Sequence, residues 1–186
     1  MGDSSKGTRV YNFGDKEKIN MIRFTDETII NASSDKVFYF LTHIDRLYKK
    51  WHSKDHIFCH ALIGSLDRKG SMVHFFEWIG HFPLYLIAQI SKVDKDHYIE
   101  YLPVFPFSLL RLGYGSFTIE KISNNEIKLV AYVEGGYNIP VIGSFLDFIV
   151  RKLISFDAIK KHMNEEGENI KRYLEKNSIT IDSSFS

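Results

Sequence analysis

His162 and Glu166 stand four residues apart in a segment with no internal proline. On a helix that spacing places an imidazole and a carboxylate on one face, one turn apart, which is the arrangement helical zinc motifs use. It also serves an ordinary ion pair on a half-exposed flank, so the pair gains chemical meaning only with further donors. A zinc site built from nitrogen and oxygen takes three or four protein ligands. Two other stretches offer candidates. Trp51-His52-Ser53-Lys54-Asp55-His56 holds two histidines and one aspartate, and Met72-Val73-His74-Phe75-Phe76-Glu77-Trp78-Ile79 carries Glu77 as the sole carboxylate of an apolar, aromatic run. Each has a plain structural alternative. His52 suits the end of a helix, where the dipole favours it. His56 suits a strand edge, and Glu77 suits a solvent-facing strand position.

The elements that must position these residues follow from hydrophobic periodicity. Residues 18–30 read as a first strand, and Ser33 or Ser34 caps a short helix through Val37, Phe38 and Leu41. A second short helix spans 44–51, with Leu47 and Trp51 on one face. Strands are expected over 57–63, 72–79, 84–93, 97–102, 112–122 and 126–134, the last two joined by Asn124-Asn125, and this spacing implies an antiparallel meander. Alternation within 72–79 sends Phe75, Glu77 and Ile79 one way and His74, Phe76 and Trp78 the other. A long helix is expected over 144–176, about 50 Å if unbroken, weakened only at Gly167. At 100° per residue, Ile149, Phe156, Ile159, Ile170 and Leu174 fall within about 40° of Met163, while Lys161, Glu165, Glu168 and Arg172 face the opposite way. His162, Glu166, Asn169 and Tyr173 lie between, Glu166 nearest the apolar face. A carboxylate there loses hydration on folding and needs a partner.

The order is strand, two short helices, antiparallel strands, long helix: an α+β domain in which a curved sheet wraps one helix and leaves a cavity between them. One such domain over 17–176, with polar tails at 1–16 and 177–186, accounts for the 186 residues. A net charge of +1 with no basic block argues against a nucleic-acid partner. The lone cysteine, Cys59, excludes an intramolecular disulfide and a cysteine zinc cage, and reads as a small buried hydrophobe. No apolar run reaches membrane-spanning length, no signal-peptide core is seen, and Lys6 breaks the myristoylation pattern, so no membrane partner and a cytoplasmic location are expected. Fifteen phenylalanines and ten tyrosines suit a ring-lined pocket for a small aromatic or apolar ligand. Phe75 and Tyr132 are the expected ring-holding residues on the inner sheet face. The expected assembly is a monomer or homodimer.

The element order over about 18–176, with Thr28-Ile29-Ile30-Asn31-Ala32-Ser33-Ser34-Asp35-Lys36-Val37-Phe38 at the first strand and helix, resembles the helix-grip superfamily of START lipid-binding domains, the birch-pollen allergen and polyketide cyclases. More narrowly, the chain resembles the diacetylphloroglucinol hydrolase family, zinc enzymes that cleave a carbon–carbon bond next to a ketone. That resemblance implies zinc held by a histidine after the second helix, Glu77, His162 and Glu166. The family's substrate-contacting tyrosine lies two helical turns before the first ligand. Tyr48 matches it and favours His56 over His52. No residue is singled out as general acid, with His60 as one position near the mouth. Two other activities fit the broader superfamily: a metal-free carrier of an apolar ligand, and a metal-free cyclase using pocket histidine and glutamate as acid and base.

Overall fold

A computed structural model of the chain describes residues 9–10, 20–110, 114–137 and 155–176. These form an eight-stranded antiparallel sheet, three α-helices and one 3-10 turn. The strands are β1 (Arg9–Val10), β2 (Asn20–Ile30), β3 (His56–Ile63), β4 (Met72–Ile79), β5 (Phe82–Asp94), β6 (Tyr98–Pro103), β7 (Tyr114–Ser123) and β8 (Glu126–Tyr137). The helices are α1 (Ser34–Thr42), α2 (Ile44–Trp51) and α3 (Phe156–Lys176), and the 3-10 turn is Phe107–Leu110. Strand order is β1-β2-β8-β7-β6-β5-β4-β3, so six consecutive strands form a meander that β2 closes by pairing with β8. No described helix is long and apolar enough to cross a membrane.

Expected and observed elements agree from β2 through β8, and α2 starts and ends at the expected residues. Two differences stand out. Arg9–Val10, inside the stretch expected as a tail, pairs with Phe24 and Thr25 of β2. The final helix is described from Phe156, so the expected turns at 144–154, with Ile149, lie outside the described residues.

The sheet curves around α3, which packs mainly on β2 and α2 and also touches β4 and β8. The wheel read from the sequence fits: Met163, Ile170 and Leu174 are buried, while Lys161, Glu168 and Arg172 are exposed. The two halves of α3 differ in task. Ile170 and Leu174 join a closed core with Ile30, Val37, Phe40, Leu86 and Ile127, and the Tyr173 ring packs tilted against Phe40 at 5.2 Å. Toward the other end, Ile159, His162, Met163 and Glu166 line a cavity of about 130 Å³.

Gly167 sets the depth of α3. A Cβ at this position would overlap Thr28 Oγ1 and come within 2.9 Å of Asp26 Oδ2 on β2. Helix backbone and strand thus approach at a distance only glycine allows, and the neighbouring Glu166 is carried inward with it. Overpacking costs about 1–3 kcal/mol, more than the ~1 kcal/mol of helix propensity alanine returns. Gly167→Ala is expected to lower the thermal unfolding midpoint, by roughly 2–4 °C for each kcal/mol lost. A circular-dichroism melt checks this, and a midpoint unchanged or raised contradicts the close contact.

Candidate metal centre

The strand register places the first two donors. His56, the first residue of β3, lies directly opposite Glu77 of β4. Simple alternation back from Cys59, which faces inward beside Phe75, would turn His56 to the outer face. A bulge between His56 and Phe58 inserts one residue at Ile57 and aims His56 at the cavity. The turn that precedes it is fixed by the His56 N–H donating to the His52 carbonyl and the Trp78 N–H donating to the Asp55 carbonyl, both at 2.9 Å.

Tyr48, on α2, organises this pair from above. Its backbone carbonyl accepts from His56 Nδ1 at 2.9 Å, which leaves Nε2 directed at the cavity. Its ring stacks on the His56 ring at 3.9 Å, and its hydroxyl donates to Glu77 Oε2 at 2.5 Å. From α3, Glu166 Oε1 comes within 2.9 Å of His56 Nε2, and His162 Nε2 lies 3.9 Å from both Glu166 Oε1 and Glu77 Oε2. His56 Nε2 is 3.3 Å from Glu77 Oε2. One donor atom from each of His56, Glu77, His162 and Glu166 falls within a set whose members are all within 4.8 Å of one another.

Close approach is not the same as hydrogen bonding here. His56 Nε2 and both ring nitrogens of His162 are buried without a hydrogen bond, although carboxylate oxygens lie 2.9 to 3.9 Å away. Donors about 2.1 Å from a tetrahedral ion stand about 3.4 Å apart, and the spacings of 2.9, 3.3 and 3.9 Å bracket that value. The donor set, two imidazoles and two carboxylates, suits zinc or a similar divalent ion.

The electrostatics are those of a balanced cluster. Burial opposes protonation of His56, but the close approach of Glu166 and the charges of Glu166 and Glu77 outweigh it and raise the pKa. Burial likewise opposes protonation of His162, yet Glu77, Glu166 and Asp55 together push it to about 9. Glu77 is held below the ordinary carboxylate value despite burial, through His162, His56 and the Tyr48 hydroxyl. Burial pushes the Cys59 thiol up, so it is an unreactive wall residue.

The other candidates fall elsewhere. His52 turns away from the four: its Nε2 donates to Glu165 Oε2 at 2.8 Å, and its Nδ1 accepts from the Asp55 backbone N–H at 3.4 Å. Asp55 Oδ2 lies 3.5 Å from His162 Nδ1, a position the sequence offered only as one carboxylate among neighbours. Phe75 lines the cavity as expected. Tyr132 lies in the wall between Ala131 and Val133, but its hydroxyl donates to Glu134, which pairs with Arg23 at 3.0 Å. Alternation along β8 thus gives the inner face to Ala131 and Val133. The rings that join Phe75 on the inner face are Tyr101 and Phe117, legible from the alternation of β6 and β7 once β8 is placed. His60 is exposed on the outer face beside Phe58 and His74, which removes it as a general acid near the mouth.

With this geometry in hand, comparison with solved structures decides the architecture. The ginseng (Panax ginseng) major latex-like protein 151 superposes with a TM-score of 0.63 at 10% identity, covering 83% of this chain and 97% of that one. The chain has the helix-grip fold. Norcoclaurine synthase from Thalictrum flavum, in complex with dopamine and hydroxybenzaldehyde, gives 0.62 at 12% identity, covering 94% and 100%. A START superfamily protein from Mycobacterium smegmatis gives 0.61 at 12%, covering 83% and 97%. Identities this low carry the helix-grip architecture and nothing finer. No family model and no curated protein sequence matches the chain.

A pH dependence follows from the histidines. His162 rises from an ordinary 6.5 to about 9, and His56 moves the same way. Their stabilisation is complete below pH 6.5 and is lost as pH rises through 9. Glu77 moves down from 4.5, so its share is present above that value and lost on acidification. Protein stripped of metal is expected to be most stable between these limits and to weaken toward pH 9, read as a falling urea midpoint. A midpoint that climbs over this range contradicts the charged cluster.

Proposed function

We propose that this helix-grip domain binds a small, ring-bearing ligand in the cavity beneath α3, and acts on it as a zinc-dependent hydrolase that cleaves a carbon–carbon bond next to a ketone. The observation that carries the metal reading is the convergence of His56, Glu77, His162 and Glu166, with His56 Nε2 and both His162 ring nitrogens buried without a hydrogen bond. The cavity supports the ligand reading. Its wall is apolar apart from this cluster and a few hydroxyls, and about 130 Å³ is close to the ~150 Å³ that holds a benzene ring. The fold neighbour norcoclaurine synthase holds dopamine and hydroxybenzaldehyde, both single oxygenated rings.

In this reading His56, Glu77, His162 and Glu166 hold the ion. Bound there, a divalent ion supplies polarisation of a carbonyl and a lowered pKa for water. The rest falls to the chain's own residues. Tyr48 fixes the orientation of both His56 and Glu77 from one side chain and one carbonyl. Asp55 Oδ2 faces His162 Nδ1 at 3.5 Å, the place outer carboxylates take around metal-bound histidines, and would orient that ring with the ion bound. Phe75 and Phe117 flank a planar ring, and Leu84, Ile90 and Ile99 keep bulk water from it. The overall change adds water across the bond between ring carbon and acyl carbon: hydroxyl goes to the acyl carbon, giving a carboxylic acid, and a proton goes to the ring carbon.

A second reading, a metal-free carrier of a small apolar ligand, is favoured by the apolar wall and by the fold comparisons, which support ligand binding more than any hydrolase. Metal analysis separates the two. The hydrolase reading expects about one equivalent of zinc in purified protein, with affinity lowered by more than about 100-fold in His162→Ala and Glu77→Gln, and about tenfold in Asp55→Ala. Chelation is expected to abolish release of acetate from an acylated phloroglucinol. Zinc, iron and manganese all at trace levels, with an organic ligand retained after chelation and in His162→Ala, establish the carrier instead.

A further inference from the structure

Three tyrosines line the cavity: Tyr48, Tyr101 and Tyr132. Two have committed hydroxyls, Tyr48 to Glu77 and Tyr132 to Glu134. The Tyr101 hydroxyl has no hydrogen-bond partner among the described residues. Alternation along β6 turns Ile99 and Tyr101 inward, while Tyr98 and Glu100 join an outer network with Tyr114. Tyr101 pairs across the sheet with Gly115 of β7, and its ring leans over that glycine. A Cβ at 115 would overlap Tyr101 Oη and Cζ and lie 2.9 Å from Cε1. Gly115 therefore makes the room in which this ring lies, and Phe117 flanks it at 6.5 Å.

A hydroxyl that faces the cavity without a protein partner is left to a ligand or to water, and a neutral O–H cannot remove that need by changing charge. Burial, then the charges of Glu77 and Glu166, drive its proton loss far above the physiological range, so it remains a donor. The same influence places it in the field of the metal-centre carboxylates.

We propose that the Tyr101 hydroxyl is a second recognition point of the cavity, donating a hydrogen bond to an uncharged oxygen acceptor, such as an aryl ketone carbonyl, on a single-ring ligand. This rests on the cavity being the ligand site, and not on the metal. It narrows the ligand from apolar rings in general to neutral oxygenated ones. An anionic acceptor is disfavoured by Glu77 and Glu166.

The test uses metal-stripped full-length protein and two probes of matched shape, acetophenone and α-methylstyrene, titrated calorimetrically into wild type and Tyr101→Phe. Acetophenone is expected to bind about tenfold more weakly to the variant, the size of one buried neutral hydrogen bond. α-Methylstyrene is expected to change by less than about twofold, which also shows that the variant's cavity is intact. Equal loss of both probes, or no loss of either, overturns the role of Tyr101 and leaves the cavity reading standing. Failure of wild type to bind either probe overturns the cavity reading itself. Should Tyr101→Phe not fold, Gly115→Ala decides: it keeps the hydroxyl but displaces it, and must weaken acetophenone selectively.

Discussion

A carboxylate or imidazolium moved from water into an apolar wall loses several kcal/mol of hydration unless matched by opposite charge and hydrogen bonds. Two of each meet on this wall, and much of the surrounding structure answers to that constraint. Two imidazolium rings and two carboxylates sum to zero. So do two neutral imidazoles, two carboxylates and one divalent cation. Exchanging two protons for one divalent ion would leave the cluster neutral in both states, so in the proposed zinc reading proton and metal would compete on nearly equal electrostatic terms. No hydrophobic residue could be exchanged for one member without stranding the rest.

Holding four such groups at one point requires two walls at a fixed distance. One wall is the β3–β4 pair, where the bulge at Ile57 turns His56 inward opposite Glu77. The other is α3. Tyr48 ties α2 to the first wall through a carbonyl and a hydroxyl at once. Gly167 brings the second wall down onto β2 at Thr28 and Asp26. The outer pair His52–Glu165 then links the turn after α2 to the solvent side of α3, at 2.8 Å. These contacts act across the same gap, so a change in one is felt as a change in donor spacing.

The order of elements was legible in the sequence because periodicity and turn residues act locally. So were the shared side of Phe75, Glu77 and Ile79 and the faces of His162 and Glu166, since alternation in β4 and the wheel of α3 run without interruption; which side of β4 faces inward was left open. The choice between His52 and His56 was not legible from pattern. A bulge reverses parity, and nothing in His56-Ile57-Phe58-Cys59 marks one. Tyr132 was assigned inward for the same kind of reason: its strand is rich in apolar residues on both faces, and only the register against β7, Ala131 with Phe117, fixes which side is in. Gly167 read as a weak spot in a helix because its reason lies on another strand. Tyr101 carries no signal of its own; it matters through a partner it lacks.

The division of labour along α3 bears on how folding and chemistry are separated. The closed core lies toward Ile170 and Leu174, around Phe40 and Ile127, while the cluster sits one to two turns away over the cavity. In zinc domains that are unfolded without metal, the ion replaces a core too small to stand alone. This chain buries a full core elsewhere, and its metal-free cluster is already charge-balanced. In the proposed zinc reading, metal occupancy would therefore be a local event, decided by proton competition at His56 and His162. Such a centre is suited to exchange a ligand position with substrate rather than to hold the fold together.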